Sequence, residues 1–275
     1  MLSLKNIGTI TGSTLHDELH HKSVYFLCGA AVLFVFLLRG CFDNEVVVNG
    51  QKLDGATIGW NASLVAFHII AIAGMFVGIL LGMRVLRRDR TDGTVVAILS
   101  RPVRRIEYLI GKCCGIWCIA YGLTLILHAT VYIIMLMKTG GRIGFFLPAS
   151  FLVSLNVLFA VLIVVLLAQV IPDIAAALLA AAIWLVGYIS DTVYMALQTE
   201  TAKNIMEQMQ KSDAPLALWR IIWPKMTALQ YYGVARIKDA PFHIPGPVHP
   251  AFNVGLYVLL AFFLLHLHFS REELR

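Results

Sequence analysis

Four histidines, three clustered cysteines and one Gly-Lys dipeptide are the residues here whose types could carry chemistry. His68 and His128 fall toward the outer halves of two apolar stretches, and His266 and His268 near the inner end of another. Paired histidines on facing helices hold b-type haem in membrane proteins, so electron transfer is one reading. No second pair lies at matching depth, and hydrogen-bonded packing or a pore lining suits these residues better. Cys113, Cys114 and Cys118 share one apolar stretch without the CxxC spacing of a zinc site, which makes them small packing residues. Gly111-Lys112 is not followed by Ser or Thr, and no glycine stands five residues ahead of it, so no GxxxxGK[ST] phosphate loop exists. No catalytic residue, metal-ligand set or nucleotide site of its own is expected, and the chain is not expected to be an enzyme.

The elements that position these residues are read from charge. The stretch from Arg84 to Lys112 carries Arg84, Arg87, Arg88, Arg90, Arg101, Arg104, Arg105 and Lys112 against only Asp89, Asp92 and Glu107. Asn61–Met83 before it and Cys113–Met137 after it contain no Asp, Glu, Lys or Arg. A cation at the bilayer centre costs roughly 2.5–3.5 kcal/mol, so eight would cost on the order of 20. The stretch therefore belongs in water between two membrane spans, and its basic excess assigns that water to the cytoplasm. Composition agrees: 59% of the 275 residues are hydrophobic and 14% charged, against about 25% charged in a soluble domain. The net charge of +6 is then a topology signal and not a nucleic-acid surface. No cleavable signal peptide is evident.

Read in order, the chain is expected to be an all-α integral membrane protein forming a single domain of six transmembrane helices. Residues 1–22 read as an interfacial helix, with Leu15 and Leu19 on one face and Thr14 with Asp17 as a capping box. The spans are expected at about 24–42, 60–83, 108–137, 145–170, 174–190 and 251–269. Arg39 snorkels from the end of the first. An outer loop follows, with hairpin signals at Asn49-Gly50 and Asp54-Gly55. Gly74, Gly78 and Gly82 leave a flat strip on the second span, for close packing within the protomer or for a dimer seam. The loop at 84–107 is cytoplasmic, as is a short turn at Pro172 and Asp173, where proline and aspartate suit a helix start. Residues 191–249 form a helical outer segment whose Trp219, Trp223, Tyr231 and Tyr232 suit the membrane interface. Six spans put both termini in the cytoplasm.

Apart from Arg39 at an edge, the apolar runs hold no charged residue, and so no carboxylate or lysine of the kind that marks an ion-coupled relay. If this chain moves anything uphill, the power stroke comes from a separate polypeptide pressing on the basic loop. Thr94 to Ser100 (TVVAILS) is an apolar patch bracketed by cations, with Gly93 allowing a sharp entry and Pro102 stopping the helix. An apolar knob with a charged rim suits a groove on a partner. Topology and anionic headgroups alone would also account for the arginines. Asp89 and Glu107 are expected to pair weakly with neighbouring arginines at the surface.

Asp89-x-x-x-Gly93-Thr94, then Ile98-Leu99-Ser100-Arg101-Pro102-Val103-Arg104-Arg105, then Tyr108-Leu109-Ile110-Gly111-Lys112, together resemble the signature of type-2 ABC transporter permeases. The departure is Asp89 where glutamate is usual. The resemblance extends over the whole chain, including the leading helix and the ending Phe269-Ser270-Arg271-Glu272-Glu273-Leu274. It implies a coupling helix between spans two and three, formed here by Asp89, Gly93, Thr94, Val95, Val96, Ile98, Leu99, Ser100, Arg101, Pro102, Arg104 and Arg105. It further implies two copies of a cytoplasmic ATPase that bind ATP and Mg, a second permease protomer in a homodimer, outward transport, and a bacterial inner membrane. This chain would bind no cofactor itself. Membrane lipids and a periplasmic partner at 191–249 complete the expected contacts, and nucleic acid is excluded. An apolar path suits a lipid, a lipophilic drug or a partly polar solute threaded between protomers. A scaffold for metalloenzyme maturation that transports nothing is the third reading.

Overall fold

Inside a lipid core every backbone polar group needs an internal partner, which leaves helices as the spanning element for sequences of this pattern. The computed structural model describes residues 3–20, 25–27, 29–31, 33, 47–48, 51–52, 55–100, 102–139, 144–197, 222–242 and 248–271. In order these form α1 (Leu4–Leu19), β1 (Val47–Val48), β2 (Gln51–Lys52), α2 (Gly55–Thr91), α3 (Thr94–Leu99), α4 (Arg105–Thr139), α5 (Phe146–Leu167), α6 (Asp173–Leu197), α7 (Met226–Ile237) and α8 (Pro250–Arg271). Among the described residues five helices, α2, α4, α5, α6 and α8, are long and apolar enough to cross a membrane. Each coincides with one expected span from the second to the sixth. The first span, at 24–42, lies largely outside the described residues, as do 198–221 and 243–247 of the segment before the last span.

The apolar runs end sooner than the helices do. At 1.5 Å per residue α2 is about 55 Å long and α4 about 52 Å, well beyond the ~30 Å hydrocarbon core. The change at Met83 and Arg84 thus marks where α2 leaves the apolar layer, not where it stops. β1 and β2 pair antiparallel with Val47 opposite Lys52 and Val48 opposite Gln51, the register that the Asn49-Gly50 signal predicts.

α5 is the central helix, packed against α2, α4, α6, α7 and α8. The glycine strip seats α2 within this bundle. A Cβ at Gly74 would overlap the Thr124 side chain of α4, and Cβ atoms at Gly78 and Gly82 would lie 3.0 Å from Val161 and 2.8 Å from Val164 of α5. That face is filled by the chain's own helices, so no seam with a second protomer forms on it. α5 then ends at Leu167, the chain turns through Pro172, and α6 starts at Asp173, where the sequence places the reversal.

Two expectations are corrected. α1 is capped by Ser3, whose Oγ accepts from Asn6 N, so Thr14 and Asp17 lie inside the helix, toward its C-terminal end, and form no capping box. Buried Thr14 instead donates to the Ile10 carbonyl at 2.8 Å, and both residues press on α4, where Cβ atoms at Gly111 and Gly115 would come within 2.7 Å of Ile10 and Thr14. The second correction concerns α7, which does not rest on a membrane surface. Met226, Thr227, Ala228, Leu229 and Gln230 are consecutively buried, so the first turn of the helix is enclosed on all sides, with α5, α6, α8 and α2 packed against α7. Its first turn is satisfied from the bundle: Lys225 N donates to Asn253 Oδ1 at 2.9 Å and Ala228 N to Asp191 Oδ2 at 3.1 Å. Asn156 Nδ2 donates to the Met226 carbonyl at 2.8 Å.

Gly111→Leu is expected to unseat α1 at a cost of about 1–3 kcal/mol, read as a lower melting temperature in detergent and faster trypsin cleavage after Lys5. Gly8→Ala, which meets nothing within 4 Å, should change neither for the worse.

Candidate functional site: the basic loop and the helix ends it ties

The loop between α2 and α4 begins with a reversal at Asp92-Gly93. Gly93 adopts φ 68°, a left-handed conformation that side-chain-bearing residues resist. No atom lies within 4 Å of a Cβ built there, so backbone conformation, and not lack of room, calls for glycine. α3 follows for six residues, and Ser100 Oγ donates to the Ala97 carbonyl at 2.9 Å near its end. Val95 is 1% exposed and Ile98 and Leu99 are half-buried against the main core, whereas Val96 is 54% exposed. Ala97, Ser100, Pro102 and Arg104 are also exposed and Thr94 is half-buried. Arg101 lies outside the described residues.

Behind this surface sits a buried ion pair. Asp89 Oδ2 lies 2.7 Å from Lys112 Nζ and accepts from the Tyr108 hydroxyl at 2.5 Å. Asp89 is 6%, Lys112 4% and Tyr108 0% exposed. The Tyr108 ring stacks on Phe269 of α8 at 5.8 Å, and the Arg90 guanidinium lies 5.9 Å from the same Phe269 ring. The expected weak surface pairing of Asp89 with an arginine is therefore replaced by a dry clamp between the end of α2 and the start of α4. Asp89 and Val95 face inward and hold the loop; they offer no surface to a partner.

Glu107 is a second clamp. Standing on the first turn of α4, ahead of the apolar run, it accepts from Ser3 N at 2.7 Å, Asn6 Nδ2 at 2.9 Å and Arg104 N at 3.3 Å. The Asn6 amide, then the Ser3 amide, hold its carboxyl below the usual value of 4.5. It too departs from the expected arginine pairing, because its chief partners belong to α1.

The arginines reach outward from this joint, each to a different helix end. Arg88 pairs with Glu18 near the end of α1 at 3.0 Å, and Arg87 with Asp173 at the start of α6 at 3.1 Å. Arg90 donates to the Gln169 side chain in the α5–α6 turn. Arg105 donates to the Phe269 and Ser270 carbonyls at 3.1 and 2.9 Å, capping α8 where its dipole is negative. The basic loop, the Pro172-Asp173 turn, the end of α1 and the end of α8 thus share one end of the bundle.

His128 and His68 are packing groups, whereas His268 near the end of α8 is exposed. The Phe67 carbonyl can only accept, so His128 Nε2 donates to it at 3.2 Å and Nδ1 accepts from the Ser150 hydroxyl at 2.7 Å. The ring also stacks on Phe67 at 4.4 Å, leaving no nitrogen for haem iron. His68 packs its ring 4.9 Å from Tyr231. Sequence reasoning missed Gly111 and Gly115 as the seat of α1, although their four-residue spacing was visible. It also missed Asp191 as the residue that receives α7.

A family model described as ABC-2 family transporter protein matches residues 10–274. No curated protein matches the chain.

Asp89→Asn or Lys112→Met alone strands the other member of a buried pair and is expected to cost about 3–5 kcal/mol. The double variant should recover much of that loss, as a double-mutant cycle of melting in detergent will show. For Glu107 the folded pKa is depressed, so its stabilisation is present above 4.5 and lost as pH falls through the folded value. The stability difference between the protein and Glu107→Gln should therefore be constant near neutrality and shrink below pH 4.5 in melting curves.

Proposed function

The chain belongs to the ABC-2 transporter family, and on that premise we propose that it is the membrane-spanning permease subunit of an ATP-driven transporter whose basic loop receives the stroke of a cytoplasmic ATPase. The observation that carries this reading is the construction of the loop. A short helix stands between two long ones with Val96, Ala97 and Ser100 on its free surface. Behind it α2 and α4 are locked together through Asp89, Tyr108 and Lys112. A push on α3 then displaces both long helices as one unit, and the arginine ties pass that displacement to α1, α6 and α8. Packed interiors transmit strain because they are dense and hardly compressible.

In this reading the loop, the turn at Pro172 and Asp173, and both termini face the cytoplasm of a bacterial inner membrane. The ATPase is present in two copies and holds ATP and Mg, since this chain has no phosphate loop. Two permease protomers form the path, as a homodimer whose seam lies away from the Gly74, Gly78 and Gly82 face. Transport runs outward, and the segment at 191–249 is where a periplasmic partner would meet the chain. The apolar helices suit a lipid, a lipophilic molecule or a partly polar solute moving between protomers. A haem protein is disfavoured because both nitrogens of His128 are taken. A scaffold would bind the ATPase without changing its turnover.

Val96→Glu with Ala97→Glu is expected to leave the protein folded, since both side chains are exposed, while abolishing co-purification of the ABC ATPase expressed with it and the ATP hydrolysis that depends on this chain. Val95→Asp should instead reduce the yield of folded protein. Retained ATPase binding and coupled turnover in the double variant would contradict the proposal.

A further inference from the structure

A cleft of about 700 Å³ opens beside α2 where the helix leaves its apolar run. That volume lies within the range of built small-molecule sites. Its lower wall is Leu80, Leu81 and Met83 with Phe26 and Leu27, and its upper rim is Arg84, Arg87 and Arg88. Met83 is the last residue of the uncharged run and Arg84 the first cation, so the cleft straddles the level at which acyl chains give way to headgroups. Arg87 and Arg88 are each matched by a carboxylate of the same cleft, Asp173 and Glu18. Arg84 is exposed, and no acid among the described residues pairs with it, so it supplies the uncompensated charge.

The geometry points to a site for one acidic phospholipid, its phosphate on Arg84 and its acyl chains along the Leu80–Met83 wall. A soluble anion would find the cation but leave the apolar wall wet, and a zwitterionic lipid would bring its own cation to the arginine rim. The bound lipid would bridge α1, α2 and α6 at the level of the loop clamps. The site stands on the membrane placement of α2 alone and is independent of any ATPase partner.

The test is native mass spectrometry of the full-length protein in detergent, with equal amounts of phosphatidylglycerol and phosphatidylcholine added. Retention of phosphatidylglycerol should exceed that of phosphatidylcholine about fivefold, the worth of one cation at a membrane surface. Arg84→Gln should erase the preference and Lys238→Gln, far from the cleft, should keep it. Leu80→Asp should lower retention of both lipids. Equal retention by the unaltered protein, or a preference that survives Arg84→Gln, would overturn the site. Displacement of the bound lipid by millimolar glycerol phosphate would identify an anion site and overturn the lipid occupant.

Discussion

Two charges taken out of water must find each other, and the pairing of Asp89 with Lys112 is the constraint on which the rest of this architecture depends. Each buried ion forgoes several kcal/mol of hydration, so neither residue tolerates a register in which the other is absent. The pair fixes where α2 stops relative to where α4 starts, and the Tyr108 hydroxyl narrows the remaining freedom. With that joint set, the six residues of α3 have one place to go, and Gly93 supplies the turn into it. A buried pair of this kind contributes more to geometry than to net stability.

A second constraint acts in the body of the bundle. A helix that begins among other helices carries unsatisfied N–H groups with no water to meet them. α7 begins that way, and Asn253 and Asp191 accept from N–H groups at its start, while Asn156 donates to the Met226 carbonyl from a third helix. This explains why two asparagines interrupt otherwise apolar spans, and it gives Asp191 a buried structural place on α6.

Much of the fold was legible because membrane chemistry writes itself in composition. Runs without charge located five of the crossings, and Pro172-Asp173 located a reversal that hydropathy alone would have missed. Four-residue glycine spacing announced close helix approach at 74, 78 and 82, although the neighbours that fill the strip were not readable. The burial of Asp89 was hidden for a physical reason: amid arginines an acid reads as solvated, and only the fold shows that Tyr108 and Lys112 lie one and two turns into α4 beside it. Glu107 was hidden by distance along the chain, since its partner Ser3 is 104 residues away. α7 was misread because its own Tyr231 and Tyr232, with Trp223 and Pro224 ahead of it, resemble an interfacial segment, while its hydrogen bonds to the bundle come from residues scattered over three helices.

The central claim is that the clamped loop faces the cytoplasm and is covered there by an ATPase. Its most direct test is labelling of Ser100→Cys, in a background without the five native cysteines, with a membrane-impermeant maleimide. The account predicts labelling in inverted vesicles, none in intact cells, and protection when the ATPase is bound. Labelling from outside intact cells would contradict it.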